Sequence, residues 1–226
     1  MKDIIETLTV KKLFETGNTK AWVLLIRYTY PWEALPHIKD FIEEVSIVMD
    51  ESEYKRHDNN VWIHKTAMIA PSSHIGSSVI IGAGTQVMHC AYIRDNVLIG
   101  KNAKVGNSSE VKNSILFDNV QIPHFNYVGD SILGYKSHFG AGVITSNVKS
   151  DYSLVKVRYG KERIETGLKK FGAIIGDHVE IGCNAVLNPG TVIGKNSNIY
   201  PLSSVRGYIE PNSIYKKEGE IVKKVD

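Results

Sequence analysis

Cysteine is scarce in this 226-residue chain. There are two, Cys90 and Cys183, far apart and in no CxxC spacing. That argues against a disulfide framework and against a thiolate-ligated metal, and the two thiols are expected to be buried or half-buried. Charge of one sign is scarce too: 27 Lys and Arg stand against 24 Asp and Glu, a net charge of +3. So small an excess makes no general case for nucleic acid or a membrane surface. No run of 18 apolar residues occurs, so no transmembrane helix is expected. The opening Met1-Lys2-Asp3-Ile4-Ile5-Glu6 carries an early acid and no signal-peptide core. Cytoplasmic residence and one large domain, alone or with an appendage, are the expectation.

What the chain does have is a period. Ile63, Ile69, Ile75, Ile81, Val87, Ile93, Ile99, Val105 and Val111 fall at every sixth position. The register returns at Ile175, Ile181, Leu187, Ile193, Ile199 and Val205. Four residues after each of the first eight comes a small or β-branched residue, such as Ala67, Ser73, Thr85, Ala91 or Ser109. Six fits neither a helix nor a free strand. It fits a parallel β-solenoid with three six-residue sides per coil, each aliphatic residue turned into a central stack. Glycines follow the aliphatic position repeatedly, as at Gly76, Gly82, Gly100 and Gly106, and are expected to permit tight corners with positive φ.

The flanks lack this pattern. Residues 1–50 predict a small helical region that packs on the solenoid's end or joins subunits, with an amphipathic helix through Ile38, Phe41, Ile42 and Val45. Residues 51–60 predict a linker, 61–210 the solenoid, and 211–226 a tail. From Asn147 to Phe171 the period stops, and two strand-like runs around Tyr159-Gly160 predict a basic hairpin leaving one corner. Such excursions often build a binding face.

The register also slips by one residue between Val111 and Leu116 and again between Val128 and Leu133. Broken rules in a repeat often mark function. Between the slips lies Val120-Gln121-Ile122-Pro123-His124-Phe125-Asn126-Tyr127-Val128-Gly129-Asp130. Arg94 and Lys112 each follow an inward aliphatic residue and are separated by 18 positions, one full coil. Two cations stacked about one strand spacing apart repel unless an anion lies between or across them. A phosphate is one such anion; solvent screening is the plainer alternative.

The segment from His124 to Asn147, H-F-N-Y-V-G-D-S-I-L-G with G-A-G and T-S-N, resembles a known family. It is similar to the acetyltransferase domain of the bifunctional glucosamine-1-phosphate acetyltransferase/N-acetylglucosamine-1-phosphate uridyltransferases. Gly167-Leu168-Lys169-Lys170-Phe171 and Ile199-Tyr200-Pro201 look like the archaeal sugar-1-phosphate nucleotidyltransferase/acetyltransferase branch. The resemblance covers roughly residues 61–210. It implies a left-handed parallel β-helix of hexapeptide repeats, a homotrimer, active sites between subunits and acetyl-CoA as co-substrate, with no metal required. It implies His124 as general base, and Arg94, Lys112, Tyr127, Asn147, Lys156 and Lys170 as substrate contacts. It implies Ala141, Gly142, Cys183 and Pro201 along the acetyl-CoA path. His138, Cys183 and Leu202 stand where bacterial members carry asparagine, serine and glycine. There is no Gly-rich nucleotide loop near a first strand, so uridyl transfer is not expected.

Two functions therefore stay open. One is acetyl-CoA-dependent N-acetylation of a hexosamine 1-phosphate, in which His124 takes the proton of the attacking amine. The other is a non-catalytic trimeric protein that binds a sugar phosphate or nucleotide sugar. A zinc hydratase on the same fold, a γ-class carbonic anhydrase, needs three histidines around the metal, and the histidines here form no HxxxxH pair.

Overall fold

The computed structural model describes residues 5–224. The reading of the first four residues lies outside that range, as do residues 225–226. Three sheets of nine, seven and nine strands wrap a single solenoid, parallel except for one edge strand on each nine-stranded sheet. Each coil gives one short strand to each face. The first face holds Val61–His64, Val79–Ile81, Val97–Ile99, Ser114–Leu116, Ile132–Leu133, Ala173–Ile175, Thr191–Ile193 and Tyr208–Ile209. The second face includes Lys104–Asn107, Gln121–His124, His138–Phe139 and Glu180–Ile181; the third includes Tyr92–Ile93, Glu110–Lys112, Tyr127–Gly129 and Ile144–Thr145.

The six-residue register is the interior. Ile81 pairs with Ile99, Val87 with Val105 and Ile93 with Val111, and these side chains are at most 1% exposed. The slips are coils shortened by one residue: Ile99 meets Leu116 and Val111 meets Val128, each 17 positions on. Corners turn through the left-handed region once per side, at Asn96, Asn102, Asn119, Asn184 and Asn196 among others. Asparagine tolerates that region better than other side chains.

The glycines after the inward position have another purpose than the one expected. Gly82 and Gly100 do not take positive φ. A Cβ on Gly82 would stand 2.5 Å from the Gly100 carbonyl oxygen of the next coil. Crowding between coils, not corner dihedrals, requires them.

The helical region packs on the side of the solenoid, not its end. On the first face the residue just before the inward one is also apolar: Ile80, Leu98, Ile115, Ile132, Ile174 and Val192, all at most 1% exposed. They point outward and are covered. The helix Ile38–Ser46 lies against Val97–Ile99, and the Phe14 ring meets Phe117 at 4.8 Å. Backbone bonds fasten the segment at several heights: Asp118 N–H donates to Asn18, Asp177 N–H to Leu13, and Asn113 Nδ2 to Leu35.

Two boundaries are corrected. The expected linker 51–60 contains the strand Tyr54–His57, which runs antiparallel to Val61–His64 and edges the first face. Tyr54, 3% exposed, anchors it. The expected tail continues the solenoid: Ser213–Lys217 and Glu220–Lys223 form a hairpin on the second face, and Tyr215 fills the interior place above Ile199. Pairing covers what an open coil would leave unbonded.

Candidate active site

His124 ends the strand Gln121–His124, at the corner between the second and third faces. Its side chain is exposed, and its ring hydrogen-bonds to none of the described residues. The turn beneath it is held firmly. Asn126, 2% exposed, accepts the His124 N–H at 3.1 Å and donates to the Gly140 carbonyl at 2.8 Å. The sequence reading missed Asn126; its signal was a polar residue at a position where the repeat calls for a small one.

Above His124 rises a column. Its carbonyl accepts from Gly142 N–H at 3.0 Å, the Ala141 carbonyl from Asn184 N–H at 2.8 Å, and the Cys183 carbonyl from Leu202 N–H at 2.9 Å. His124, Ala141, Cys183 and Pro201 therefore occupy one corner of four successive coils, spanning about 14 Å at one strand spacing per coil. Gly142 turns with φ +74°, and a Cβ there would collide with the Asn184 side chain. Cys90 and Cys183 are both exposed, which corrects the expectation of buried thiols. They sit in corner turns, where side chains leave the stack. Leu202, at φ 60°, is 79% exposed at the head of the column.

A second group gathers where the third face meets the first. Outward residues Tyr92, Glu110 and Tyr127 stack in register, with Arg94 and Lys112 two positions on from Tyr92 and Glu110. The cations stack as expected, but each already has an anion. Arg94 Nη1 lies 2.9 Å from Glu110, and Lys112 Nζ 3.4 Å from Asp130. Asp130 is the hub: Asn113 Nδ2 donates to its Oδ1 at 2.9 Å, and Asn147 Nδ2 makes a short bond to its Oδ2. Asn147 Nδ2 also reaches the Tyr127 hydroxyl at 3.3 Å. Burial, then the Glu110 and Asp130 carboxylates, push the Tyr127 phenol up, so at neutral pH it keeps its proton. Neither Glu110 nor Asp130 was foreseen. Their neighbours along the chain give no sign of them, because each partner lies one coil away.

Lys170 sits beside this corner, since Phe171 N–H donates to the Asn147 carbonyl. Lys156 does not join the group: its amine is 2.6 Å from Glu165 across the hairpin. The hairpin Lys156–Tyr159/Glu162–Glu165 forms as expected, yet it packs against Thr191–Ile193 and Tyr208–Ile209 on the first face. Val155 and Val157 are fully buried there. Apolar burial sets its course, and its basic residues do not frame His124.

Comparison with known proteins agrees with this fold. Residues 172–207 match the bacterial transferase hexapeptide family of six repeats, and residues 84–159 match the GMPPB C-terminal domain. The chain is 38% identical over 221 residues to the bifunctional protein GlmU of Methanococcus maripaludis, covering 96% of this chain and 54% of that protein. It is 40% identical over 111 residues to a bifunctional sugar-1-phosphate nucleotidylyltransferase/acetyltransferase of Sulfurisphaera tokodaii, covering 49% of this chain and 28% of the relative. Among solved structures, the acetyltransferase domain of PglB from Neisseria gonorrhoeae, in complex with acetyl coenzyme A, aligns at 18% identity and a TM-score of 0.28. It covers 68% of this chain and 53% of that one, a likeness too slight to bear on function. The six-residue repeat is thus similar to the bacterial transferase hexapeptide family over residues 172–207, and the chain is similar to the proteins named GlmU over about half of their length.

Proposed function

We propose that this protein is an acetyl-CoA-dependent N-acetyltransferase acting on the amine of a hexosamine 1-phosphate. The observation that carries the reading is the hydrogen-bonded column: an exposed histidine at the foot of a smooth corner of alanine, glycine, cysteine and proline. Three residues along the chain from that histidine begins the polar group of Tyr127, Asn147, Lys112 and Arg94. A long, narrow thioester fits the corner, and a hydroxylated anion fits the polar group.

The roles follow from the chemistry. The amine must be neutral to attack the thioester carbonyl carbon. As the new C–N bond forms, His124 accepts the amine proton, an assistance worth about 10²–10⁴ in rate. Backbone N–H groups at the corner are the available donors for the oxyanion. Collapse breaks the C–S bond, and the thiolate leaves with the proton returned by His124. Lys112 and Arg94 offer charge to the sugar phosphate by sharing their carboxylates, and Tyr127 and Asn147 orient the ring. One relative's name supports a sugar 1-phosphate and acetyl transfer; the hexosamine and acetyl-CoA are part of this proposal.

We place the complete site between subunits of a homotrimer in the cytoplasm. His124 has an exposed ring without a hydrogen-bond partner among the described residues, and a neighbouring copy supplies the opposite wall. No metal is needed for this transfer. Light scattering at micromolar concentration tests the assembly; a monomer mass overturns it. Release of CoA thiol from acetyl-CoA tests the activity, with glucosamine 1-phosphate and galactosamine 1-phosphate as acceptors. No thiol release with either sugar from a folded trimer would favour the binding-protein reading.

A further inference from the structure

One cavity lies far from the site just described, between the N-terminal segment and the first face. It encloses about 150 Å³ and is lined by Thr19, Lys20, Tyr54, Lys101 and Asp118 over a floor of Ile80 and Leu98. Tyr54 is 3% exposed, yet its hydroxyl hydrogen-bonds to none of the described residues. The hydroxyl is thus open to the cavity, where a ligand or water can reach it. Burial, Glu53 and Asp118 push this phenol up, so it is a proton donor throughout the neutral range.

The rest of the wall has a definite chemistry. Lys20 Nζ stands 5.3 Å from the centre of the Tyr54 ring, and neither Lys20 nor Lys101 is ion-paired to a described residue. Thr19 Oγ1 accepts from Ala21 N–H at 3.1 Å, which leaves its own proton to donate. Asp118 Oδ1 accepts from Lys101 N–H at 2.7 Å, and Oδ2 takes no donor from the described residues. Two exposed lysines at the rim and two hydroxyl donors thus surround one free acceptor, above aliphatic carbon. Donors in excess call for an anion. The single acceptor calls for one donor on the ligand, and the floor calls for a short carbon body. The volume equals about five waters at roughly 30 Å³ each, or some six heavy atoms.

We infer that this cavity binds a small organic carboxylate that also bears a hydroxyl or amino group. The carboxylate meets Lys20, Lys101 and the Tyr54 hydroxyl; the ligand's own donor meets Asp118 Oδ2. Such a ligand would tie residues 17–20 and the strand Tyr54–His57 to the coils beneath, away from the acetyl-transfer column.

Methyl NMR of isoleucine- and leucine-labelled full-length protein tests this, with lactate, propionate and inorganic phosphate as the probes. Lactate is expected to shift the Ile80 and Leu98 methyls saturably while leaving Ile144 on the third face unmoved. Tyr54→Phe, which removes one oxygen, is expected to weaken lactate by about tenfold at an unchanged melting temperature. Asp118→Asn should weaken lactate more than propionate. The inference is overturned if millimolar lactate gives no saturable shift, if Tyr54→Phe binds lactate as well as the parent does, or if phosphate alone saturates these methyls.

Discussion

The first and third faces of the solenoid share one interior and differ in what they turn outward. On the first face the outward column is Ile80, Leu98, Ile115, Ile132, Ile174 and Val192, sealed beneath the helical segment and, at Val192, the hairpin. On the third face the matching column is His74, Tyr92, Glu110, Tyr127, Ile144, Val186 and Ser204. One column contributes stability to the chain, at about 1.5–3 kcal/mol for each large side chain fully buried. The other stays partly open, with Tyr92 at 42% and Val186 at 36% exposure, and carries the polar group of the proposed site. The repeat frees one face of a rigid scaffold for function by committing another to packing.

The sharpest way to break this comparison is at His124. Its replacement by alanine should lower thiol release by about 10²–10⁴ and leave the melting temperature of an exposed corner residue unchanged. Loss of folding instead would make His124 structural. Next, Leu98→Ala on the covered face should cost about 2–5 kcal/mol in urea unfolding. Val186→Ala, at a position 36% exposed on the third face, should cost well under 1 kcal/mol, as surface changes do (about ±0.5). Equal costs would mean that the third face is as deeply covered as the first. Asp130→Asn keeps the shape of the polar hub but frees Lys112. It should raise KM for the sugar phosphate more than it lowers kcat, with a stability loss of about 1–3 kcal/mol. A fall in kcat alone would remove Asp130 from substrate positioning.

The smallest effect concerns Asp177, fully buried under the segment. It accepts backbone N–H bonds from Glu15 at 2.7 Å and Tyr135 at 2.8 Å. Burial nevertheless pushes its carboxyl above the usual range. A folded-state pKa above the unfolded one favours the protonated native form. Its contribution is complete below the unfolded pKa of about 3.9 and is lost as pH rises through the folded value. Urea titrations from acid to neutral pH should show this decline, and Asp177→Asn should flatten it. An unchanged slope in the variant would assign the dependence to another group.

How far these features were legible depended on how local they are. The interior was readable, because a six-residue period leaves its mark on every coil. So was the stacking of Arg94 and Lys112, since each follows an inward aliphatic residue one full coil apart. The place of His124, next to the shortened coils, was readable too. The sealing of the first face left a signal as well, an extra aliphatic residue beside the inward one at every third strand from Ile80 to Val192, but it only becomes visible once the chain is wound into coils. Glu110 and Asp130 left no signal, because an ion pair across coils joins residues 16 and 18 positions apart. The strand Tyr54–His57 was hidden for a simpler reason. It is polar on one side, and its partner runs in the opposite direction to every other pairing on that face.

The segment that seals the first face has a consequence for how the chain is made. It leaves the ribosome before any coil it will cover. Asn18 and Leu35 must wait for residues 113–118, and Leu13 and Glu15 for Asp177. Coils, each resting on its neighbour, stack in order of synthesis, while this earlier-made segment docks on them afterwards. Once in place it spans coils that otherwise touch only the next one. A solenoid that would otherwise fray one coil at a time is thereby cross-tied between the coils at residues 113–118 and at Asp177.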